Sequence, residues 1–169
     1  GTALLTGSEA PGAGTSSDGL YYTGDTVSLT GTATGTYNNK NVVGATTVTF
    51  GGKSLTGAQA GNYSLTALTQ AATITPKALT LSAVTKVYNG NTASAAGTAK
   101  LQTAEATTAG NTSDGKPYTG DTVSITPTTA VGTYNDKDVA DATTVTFSGL
   151  SLTGAQASNY SLPSLVATG

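Results

Sequence analysis

The sequence predicts an all-β fold made of tandem antiparallel β-sandwich repeats of the immunoglobulin-like type. Three observations lead to this prediction: a composition rich in β-branched residues, short runs in which apolar and polar residues alternate, and an internal repeat as long as a whole domain. A β-grasp-like repeat with one short helix is the alternative that the same pattern leaves open.

The composition favours strands. Thr occurs 36 times and Ser 15 times among the 169 residues. Thr is β-branched and suits a pleated, half-exposed surface, whereas the long straight-chain residues that favour helices are scarce. Apolar residues arranged in strand-period runs also argue against a disordered spacer, which has no need of such a pattern.

The repeat is visible as near-identical segments about 96 residues apart. The heptapeptide YTGDTVS occupies 22–28 and again 118–124, and residues 35–65 match residues 132–162 at 24 of 31 positions. A period of this length is the size of a β-sandwich domain and far exceeds a solenoid turn. The chain is therefore expected to be a tandem array of domains.

The two copies are not equally complete. We expect a first repeat at 1–75 that lacks its N-terminal strand, and a nearly complete second repeat at 76–169, so the chain is a window of a longer array. The match between the copies weakens towards their N-termini, where two acidic pairs remain: Glu9 with Glu105 and Asp18 with Asp114.

Strand signals are short and frequent. Leu79, Leu81, Ala83 and Val87 are expected to form one face of a run that opens the second repeat, and period 2 with a polar second face is typical of an antiparallel sheet with one buried face. Helix is expected only as a single turn, at 154–158. The side chains expected to face the cores are Val27, Leu29, Val48, Phe50, Tyr63 and Leu65 in the first repeat and Val123, Ile125, Val145, Phe147, Tyr160 and Leu162 in the second.

A tyrosine follows a turn late in each repeat. The segments Gln59–Tyr63 and Gln156–Tyr160 resemble the D-x-G-x-Y corner of immunoglobulin-like domains, with Gln in place of Asp. In that corner the tyrosine hydroxyl binds backbone a few residues upstream. The alternative is an ordinary core tyrosine after a turn.

The residue types that are absent exclude several classes of chemistry. The chain has no His, Cys or Arg, and its net charge is −2. It therefore has no imidazole base, no thiol nucleophile, no thiolate metal site and no bidentate phosphate clamp. We expect no enzymatic activity, no cofactor and no nucleic-acid partner. No apolar run is long enough to cross a membrane, so no membrane insertion is expected.

Several segments together resemble the YDG-type repeat of Gram-negative filamentous-haemagglutinin-like surface adhesins. They are KVYNGNT at 86–92, GDTV at 120–123, YNDKDV at 134–139, LTGAQASNYSL at 152–162 and the inter-repeat joint ITPKAL at 74–79. Asn89 and Gln156 stand where the family has Asp. The resemblance implies a repeated extracellular stalk module with no known catalytic residues.

One acidic loop invites a metal interpretation. Asp136, Asp138 and Asp141 lie in the segment NDKDVADA, and Ca²⁺ prefers several oxygen ligands. The spacing is not that of an EF-hand, and the first repeat has Asn39, Asn41 and Gly44 at the equivalent places. A solvated loop is therefore the expected state, with these three carboxylates kept as candidate metal ligands.

Three sequons of the N-x-S/T form are present. They begin at Asn62, Asn111 and Asn159. These three residues are candidate glycosylation sites, although Asn62 and Asn159 also belong to the tyrosine corner. Because Ser and Thr are so abundant, such sequons also arise by chance.

The function expected from these patterns is a structural repeat module of a secreted bacterial surface adhesin, in a stalk or an extracellular filament of the kind found in biofilms. The alternatives are a filament subunit joined by β-strand complementation and a glycan-binding module in which Tyr21 and Tyr22 form an aromatic platform. The expected partners are neighbouring repeats of the same protein, other copies through strand addition, and a glycan or host-surface ligand. The expected location is the cell surface or an extracellular filament.

The first repeat has no counterpart of residues 77–87. If that strand pairs with a sheet in the second repeat, its absence leaves the first repeat with an open edge and an uncovered apolar strip, which favour addition of another strand. Either the preceding residues of a longer array supply this strand, or a neighbouring molecule does.

Overall fold

The computed structural model describes residues 5, 7–12, 18–67, 69–107 and 111–169. The chain forms two compact units. Unit 1 comprises residues 1–40 and 44–73, and unit 2 comprises residues 41–43 and 74–169. Both are all-β and sandwich-like, with strands of two to five residues, which confirms the predicted fold class. Within the described residues, helix is confined to 3₁₀ turns of three residues, as at Ala157–Asn159, so the helix of the β-grasp alternative is not seen there.

Unit 1 consists of small sheets whose strands follow the alternating runs. Strands β3 and β6 pair antiparallel, β4, β5 and β7 form a second antiparallel sheet in that order, and β1 and β2 pair in parallel. Their bounds are Ser8–Glu9 (β1), Tyr21–Tyr22 (β2), Ser28–Thr30 (β3), Thr34–Tyr37 (β4), Thr47–Gly51 (β5), Ser54–Thr56 (β6) and Thr69–Ala71 (β7).

Unit 2 repeats this arrangement and adds one strand before it. Strands β9 and β12 pair antiparallel, β10, β11 and β14 form a three-stranded antiparallel sheet, and the additional strand β8 pairs with β13. Their bounds are Lys77–Ala78 (β8), Ser124–Thr126 (β9), Thr133–Tyr134 (β10), Thr144–Thr146 (β11), Ser151–Thr153 (β12), Tyr160–Ser161 (β13) and Val166–Thr168 (β14).

Two of the strand pairs are parallel rather than antiparallel. Strands β1 and β2 pair in parallel, and so do β8 and β13. The two members of the second pair come from the start and the end of unit 2, and parallel neighbours require a long crossover rather than a hairpin. The alternating pattern shows which face of a strand is buried but not the direction of its neighbour, so it could not have predicted the parallel pairs.

The core is much better covered in unit 2 than in unit 1. Of the predicted core residues in unit 2, four are buried and two are half-buried; the buried ones are Ile125, Val145, Phe147 and Tyr160, and the half-buried ones are Val123 and Leu162. None of their counterparts in unit 1 is buried. Five are half-buried, and Leu65 is 40% exposed, so the prediction that Leu65 faces a core is wrong.

The leading run of unit 2 also differs from the predicted pattern. Leu79 and Leu81 are buried as expected, but the next buried side chain is Val84, whereas Ala83 is exposed and Val87 is 89% exposed. The chain changes its hydrogen-bonding partner within this run. The N–H of Ser82 donates to the carbonyl of Lys100, and the N–H of Val84 donates to the carbonyl of Thr168. A shift of one residue exchanges the two faces of a strand, so the odd-numbered face does not continue to Val87.

Replacing Leu79, which is fully buried, should destabilise unit 2. We expect Leu79→Ala to lower the free energy of unfolding of this unit by about 2–5 kcal/mol, since apolar contacts are lost and a cavity remains. Urea unfolding followed by far-UV circular dichroism measures the change. The matched control is Val87→Ala, at a position that is 89% exposed, with an expected change within about 0.5 kcal/mol. Equal effects of the two substitutions would show that the leading run does not contribute to the core.

Candidate functional site

The leading strand of unit 2 is held on both sides. On one side β8 pairs with β13, with Lys77 opposite Tyr160, and the N–H of Leu79 donates to the carbonyl of Ser161 at 2.7 Å. On the other side Leu79 forms a parallel bridge with Gly115, whose carbonyl accepts the N–H of Thr80 at 3.0 Å. Residues 77–80 therefore fill a slot between two other segments, and we call this place the leading-strand slot.

The slot carries a buried cation. Lys77 Nζ lies 2.6 Å from Glu105 Oε1 and 2.9 Å from Asp114 Oδ1, and only 7% of the Lys77 side chain is exposed. The amine also lies 4.1 Å from the centre of the Tyr118 ring. A buried amine is stable only with charged or polar partners, and here two carboxylates and an aromatic face supply them.

The ionisation of this cluster follows from its contacts. Burial alone would lower the pKa of Lys77, but hydrogen bonds to Glu105 and Asp114 outweigh it and raise the pKa to about 12. For Asp114, burial acts to raise the pKa, but the hydrogen bonds from Lys77 and from the backbone N–H of Lys116 lower it to about 2. The lysine and Asp114 are therefore both charged near neutral pH.

The tyrosine corner closes the same region. The Tyr160 hydroxyl donates to Asp121 Oδ2 at 2.6 Å and accepts the N–H of Tyr118 at 3.0 Å. Burial and the bond to Asp121 raise the pKa of Tyr160 to about 12. The predicted corner exists, but its hydroxyl binds backbone 42 residues upstream rather than a few residues upstream. It therefore fastens β13 to a distant segment instead of closing a local turn.

The glutamine that departs from the corner pattern has a role of its own. The Gln156 side-chain carbonyl accepts the N–H of Thr122 at 2.8 Å, and Gln59 accepts the N–H of Thr26 at the same distance. Because a backbone N–H needs only an acceptor, an amide oxygen can serve here as a carboxylate would. The Gln substitution thus keeps the turn attached without adding a negative charge beside Asp121.

Unit 1 contains the same contacts, apart from the lysine. The Tyr63 hydroxyl donates to Asp25 Oδ2 at 2.6 Å, which raises the pKa of Tyr63, and accepts the N–H of Tyr22 at 2.9 Å. Glu9 pairs in parallel with Tyr22, as Glu105 bridges in parallel to Tyr118. Although their loops differ, the two repeats therefore hold the tyrosine, the aspartate and the glutamate in the same arrangement.

The carboxylates of unit 1 lie close to each other. Burial raises the pKa of Glu9, and the charge of Asp18 and a hydrogen bond with Asp18 raise it further. In unit 2 the equivalent acids share Lys77, whereas among the described residues no lysine forms an ion pair with Glu9 or Asp18. The sequence indicated these acids only as a weak match between the copies, and the joint lysine had no assigned role. Their retention within otherwise divergent loops was the available signal.

A second lysine ties together the segment that resembles the family motif. Lys86 Nζ donates to Asn89 Oδ1 at 2.9 Å, to the carbonyl of Ala93 at 3.1 Å, and to the carbonyl and side chain of Asn91. The amine lies 5.3 Å from the centre of the Tyr134 ring. Asn89 thus supplies the acceptor oxygen that an Asp would supply, and the loop closes around the lysine.

The acidic loop does not gather its carboxylates. Asp136 accepts the backbone N–H of Asp138 at 2.9 Å, and Asp138 pairs with Lys137 at 2.8 Å on the surface. Asp141 is exposed, and its backbone carbonyl accepts from Asn135. Among the described residues, no group of three acids, His or Cys is placed to hold a metal ion. The structure therefore does not bring Asp136, Asp138 and Asp141 together into one set of ligands.

The three sequon asparagines lie in different environments. Asn62 and Asn111 are exposed, and Asn111 Oδ1 accepts the N–H and hydroxyl of Ser113 in a local turn. Asn159 is half-buried, and its side-chain amide donates a hydrogen bond within unit 2. A glycan on Asn159 would have to displace that bond, which makes the two exposed positions the better glycosylation candidates.

Comparison with known proteins gives one family. The YDG domain model matches residues 3–73 and 75–167, which is nearly the whole chain and one match for each repeat. No curated protein and no solved structure matches the chain. Within the described residues, no helix has the length and apolar character needed to cross a bilayer.

Removing the amine of Lys77 should lower the stability of unit 2, because its two carboxylate partners then lack a cation. We expect Lys77→Met to destabilise unit 2, since the Glu105 and Asp114 side chains, which are only 12% and 15% exposed, then lack a cation. The control is Lys137→Met, which removes a pair whose side chains are 52% and 56% exposed and which contributes only about 0–1 kcal/mol. The measurement is urea unfolding at pH 7, and equal losses would contradict a buried role for Lys77.

The same cluster predicts a pH dependence. The pKa of Asp114 is lowered in the folded state from 3.8 to about 2, so its stabilisation is complete above about pH 4 and is lost as the pH falls towards 2. Asp114→Asn should therefore reduce stability at pH 7 and make progressively less difference below pH 4. Unfolding curves at pH 7, 4 and 2.5 test this, with the exposed Asp138→Asn as control. A stability difference that does not change with pH would contradict the ion pair.

The tyrosine hydroxyl can be tested by a single-atom change. Tyr160→Phe leaves the Tyr118 N–H without its acceptor and Asp121 without its donor, so a loss of about 1–3 kcal/mol is expected for unit 2. Tyr88→Phe is the control, because Tyr88 is 56% exposed. Thermal unfolding at matched concentration measures both variants. A Tyr160→Phe protein as stable as the control would rule out a fastening role for the corner.

Proposed function

The chain belongs to the YDG domain family, and on that premise we propose that it is a non-enzymatic structural repeat module of a secreted bacterial surface adhesin. In this role its repeats form part of a stalk or extracellular filament that holds another part of the protein away from the cell. Neighbouring repeats of the same protein are its main partners.

The observation that carries this proposal is that the contacts retained in both repeats are those that hold strands together. The tyrosine corner and the glutamine contact recur with the same partners and nearly the same distances. The loops between them differ. A spacer needs the same unit again, whereas a binding or catalytic protein retains a particular surface.

The buried ionisable groups support the same proposal. Lys77 is paired with Glu105 and Asp114, and the Tyr160 hydroxyl donates to Asp121, so these groups are already engaged with one another. Catalysis would require a nucleophile placed beside a base with a free path to a substrate. In unit 2 these polar groups serve to hold strands together.

The geometry favours this role over a glycan-binding platform. Tyr21 and Tyr22 are adjacent in β2, so their side chains point to opposite faces, and both are half-buried. A cavity of about 230 Å³ in unit 2, lined by residues that include Tyr88, Tyr134 and Asp136, is smaller than the roughly 300–1,000 Å³ of typical ligand sites. Neither feature offers an aromatic surface wide enough for a sugar ring.

A stalk module should extend in proportion to the number of copies. We expect the maximum dimension of arrays of one to four copies of the chain, measured by small-angle X-ray scattering, to increase linearly with copy number. Gly/Ser chains of equal length are the control, because a flexible coil grows only as about the square root of its length. An array that follows the control, or that collapses to a globule, would overturn the stalk proposal.

A further inference from the structure

Unit 1 exposes the residues that the leading segment covers in unit 2. Tyr37 is 43% exposed, whereas its counterpart Tyr134 is 5% exposed and its hydroxyl donates to the carbonyl of Val84 at 2.9 Å. Phe50 is half-buried, whereas Phe147 is 2% exposed. These side chains have the same identity in both units, and in unit 2 Leu81 and Val84 of the leading segment join Tyr134 and Phe147 in one buried cluster.

Among the described residues, the counterpart of the leading-strand slot in unit 1 is also unfilled. In unit 2 a Cβ atom built on Gly115 would lie 2.2 Å from Thr80 Oγ1, so glycine is what allows the leading strand to approach. Gly19 is the counterpart of Gly115 and has the same positive φ, +83° against +77°. No described atom lies within 4 Å of a Cβ built on Gly19. Tyr63 and Ser64, the counterparts of β13, have no strand partner among the described residues.

The acidic part of the slot is already in place. Asp18 accepts the N–H of Leu20 at 3.0 Å, as Asp114 accepts the N–H of Lys116 at 3.1 Å, so the two carboxylates are oriented by the same turn. The N–H of Thr23 donates to the Glu9 carbonyl at 2.7 Å, and its unit 2 counterpart has the same length. Glu9 and Asp18 thus place two adjacent negative groups beside the position that corresponds to Lys77 in unit 2.

We propose that the unit 1 slot accepts a strand of the kind that opens unit 2, and that the lysine at the start of that strand binds between Glu9 and Asp18. The strand would lie parallel to residues 63–64, with its counterparts of Leu81 and Val84 against Tyr37 and Phe50, as Leu81 and Val84 join Tyr134 and Phe147 in one buried cluster of unit 2. This inference rests on the proposed repeat role only in that the strand comes from a repeat of this kind.

The two requirements for binding are of different kinds. The backbone slot and the apolar strip accept many extended segments, because ladder hydrogen bonds and apolar burial do not distinguish sequences sharply. The paired carboxylates reject a strand without a cation at its first inward position, since two close negative groups then stay uncompensated. The lysine therefore determines both the choice of strand and its register.

The direct test is binding of a synthetic peptide, PKALTLSAVTKVY, to the full chain by fluorescence anisotropy. We expect one saturable site per chain. Replacing the peptide lysine that corresponds to Lys77 by Gln should weaken binding at least about tenfold, the loss expected for a charged hydrogen bond. Glu9→Gln and Asp18→Asn in the chain should each weaken it similarly. The exposed Asp138→Asn changes the charge by the same amount and should leave binding unchanged.

Each other result of this titration overturns the proposal. Absence of saturable binding shows that the slot does not accept the strand. Equal affinity of the Lys and Gln peptides shows that the carboxylates do not select the lysine. A chain that is dimeric by light scattering, and that stays dimeric with saturating peptide, shows that a second copy and not a strand of this kind fills the site.

Register and direction can be tested with cysteines, because the chain has none of its own. In unit 2 the partner of Ser161 is Ala78. We therefore expect Ser64→Cys in unit 1 to form a disulfide with a peptide that carries Cys at the position of Ala78, since strand partners lie within disulfide reach. Thr66→Cys is the control and should react several-fold less. Preferential reaction of Thr66→Cys would overturn the proposed register.

These experiments do not depend on the array measurement. Arrays that extend linearly while the peptide fails to bind would overturn the acceptor site and leave the stalk proposal standing. Peptide binding, combined with arrays that collapse, would overturn the stalk proposal and leave the acceptor site standing.

Discussion

A lysine amine can be buried only where negative groups surround it, and the leading strand of unit 2 satisfies this condition while it covers an apolar core. The strand brings Lys77 to Glu105 and Asp114, and in the same step it places Leu79, Leu81 and Val84 over the interior. A short strand of this kind could slide along its neighbour, because ladder bonds repeat at every second residue. The ion pairs fix the register of the strand, and this register places its apolar side chains against the core.

The tyrosine corner makes that slot possible. Without the fastening of Tyr160 to Asp121 and to the Tyr118 backbone, β13 would have no fixed distance from the Gly115 segment. The same fastening exists in unit 1 through Tyr63, although no described strand lies beside it. The tyrosine corner therefore forms without a described leading strand beside it. The leading strand requires the corner, and the proposed acceptance of a strand by unit 1 depends on this order.

Much of this architecture could be predicted from the sequence. The Thr-rich alternation around Val145 and Phe147 showed the strands and their buried face, and the exact recurrence of YTGDTVS showed the repeat. The direction of β8 could not be predicted, because alternation is the same for parallel and antiparallel neighbours. Nor could the change of face at Val84, where Ser82 and Val84 bind partners 18 and 84 residues away, or the pairing of Lys77 with acids that the sequence places 28 and 37 residues later.

Native-state hydrogen exchange tests most directly the claim that the leading strand completes a repeat. The equivalent amides of β5 and β11, such as those of Val48 and Val145, have the same sequence around them and differ in what covers them. The account predicts that the β11 amides exchange at least about tenfold more slowly than those of β5, because unit 2 is closed by its leading strand. Equal protection of the two strands would contradict it.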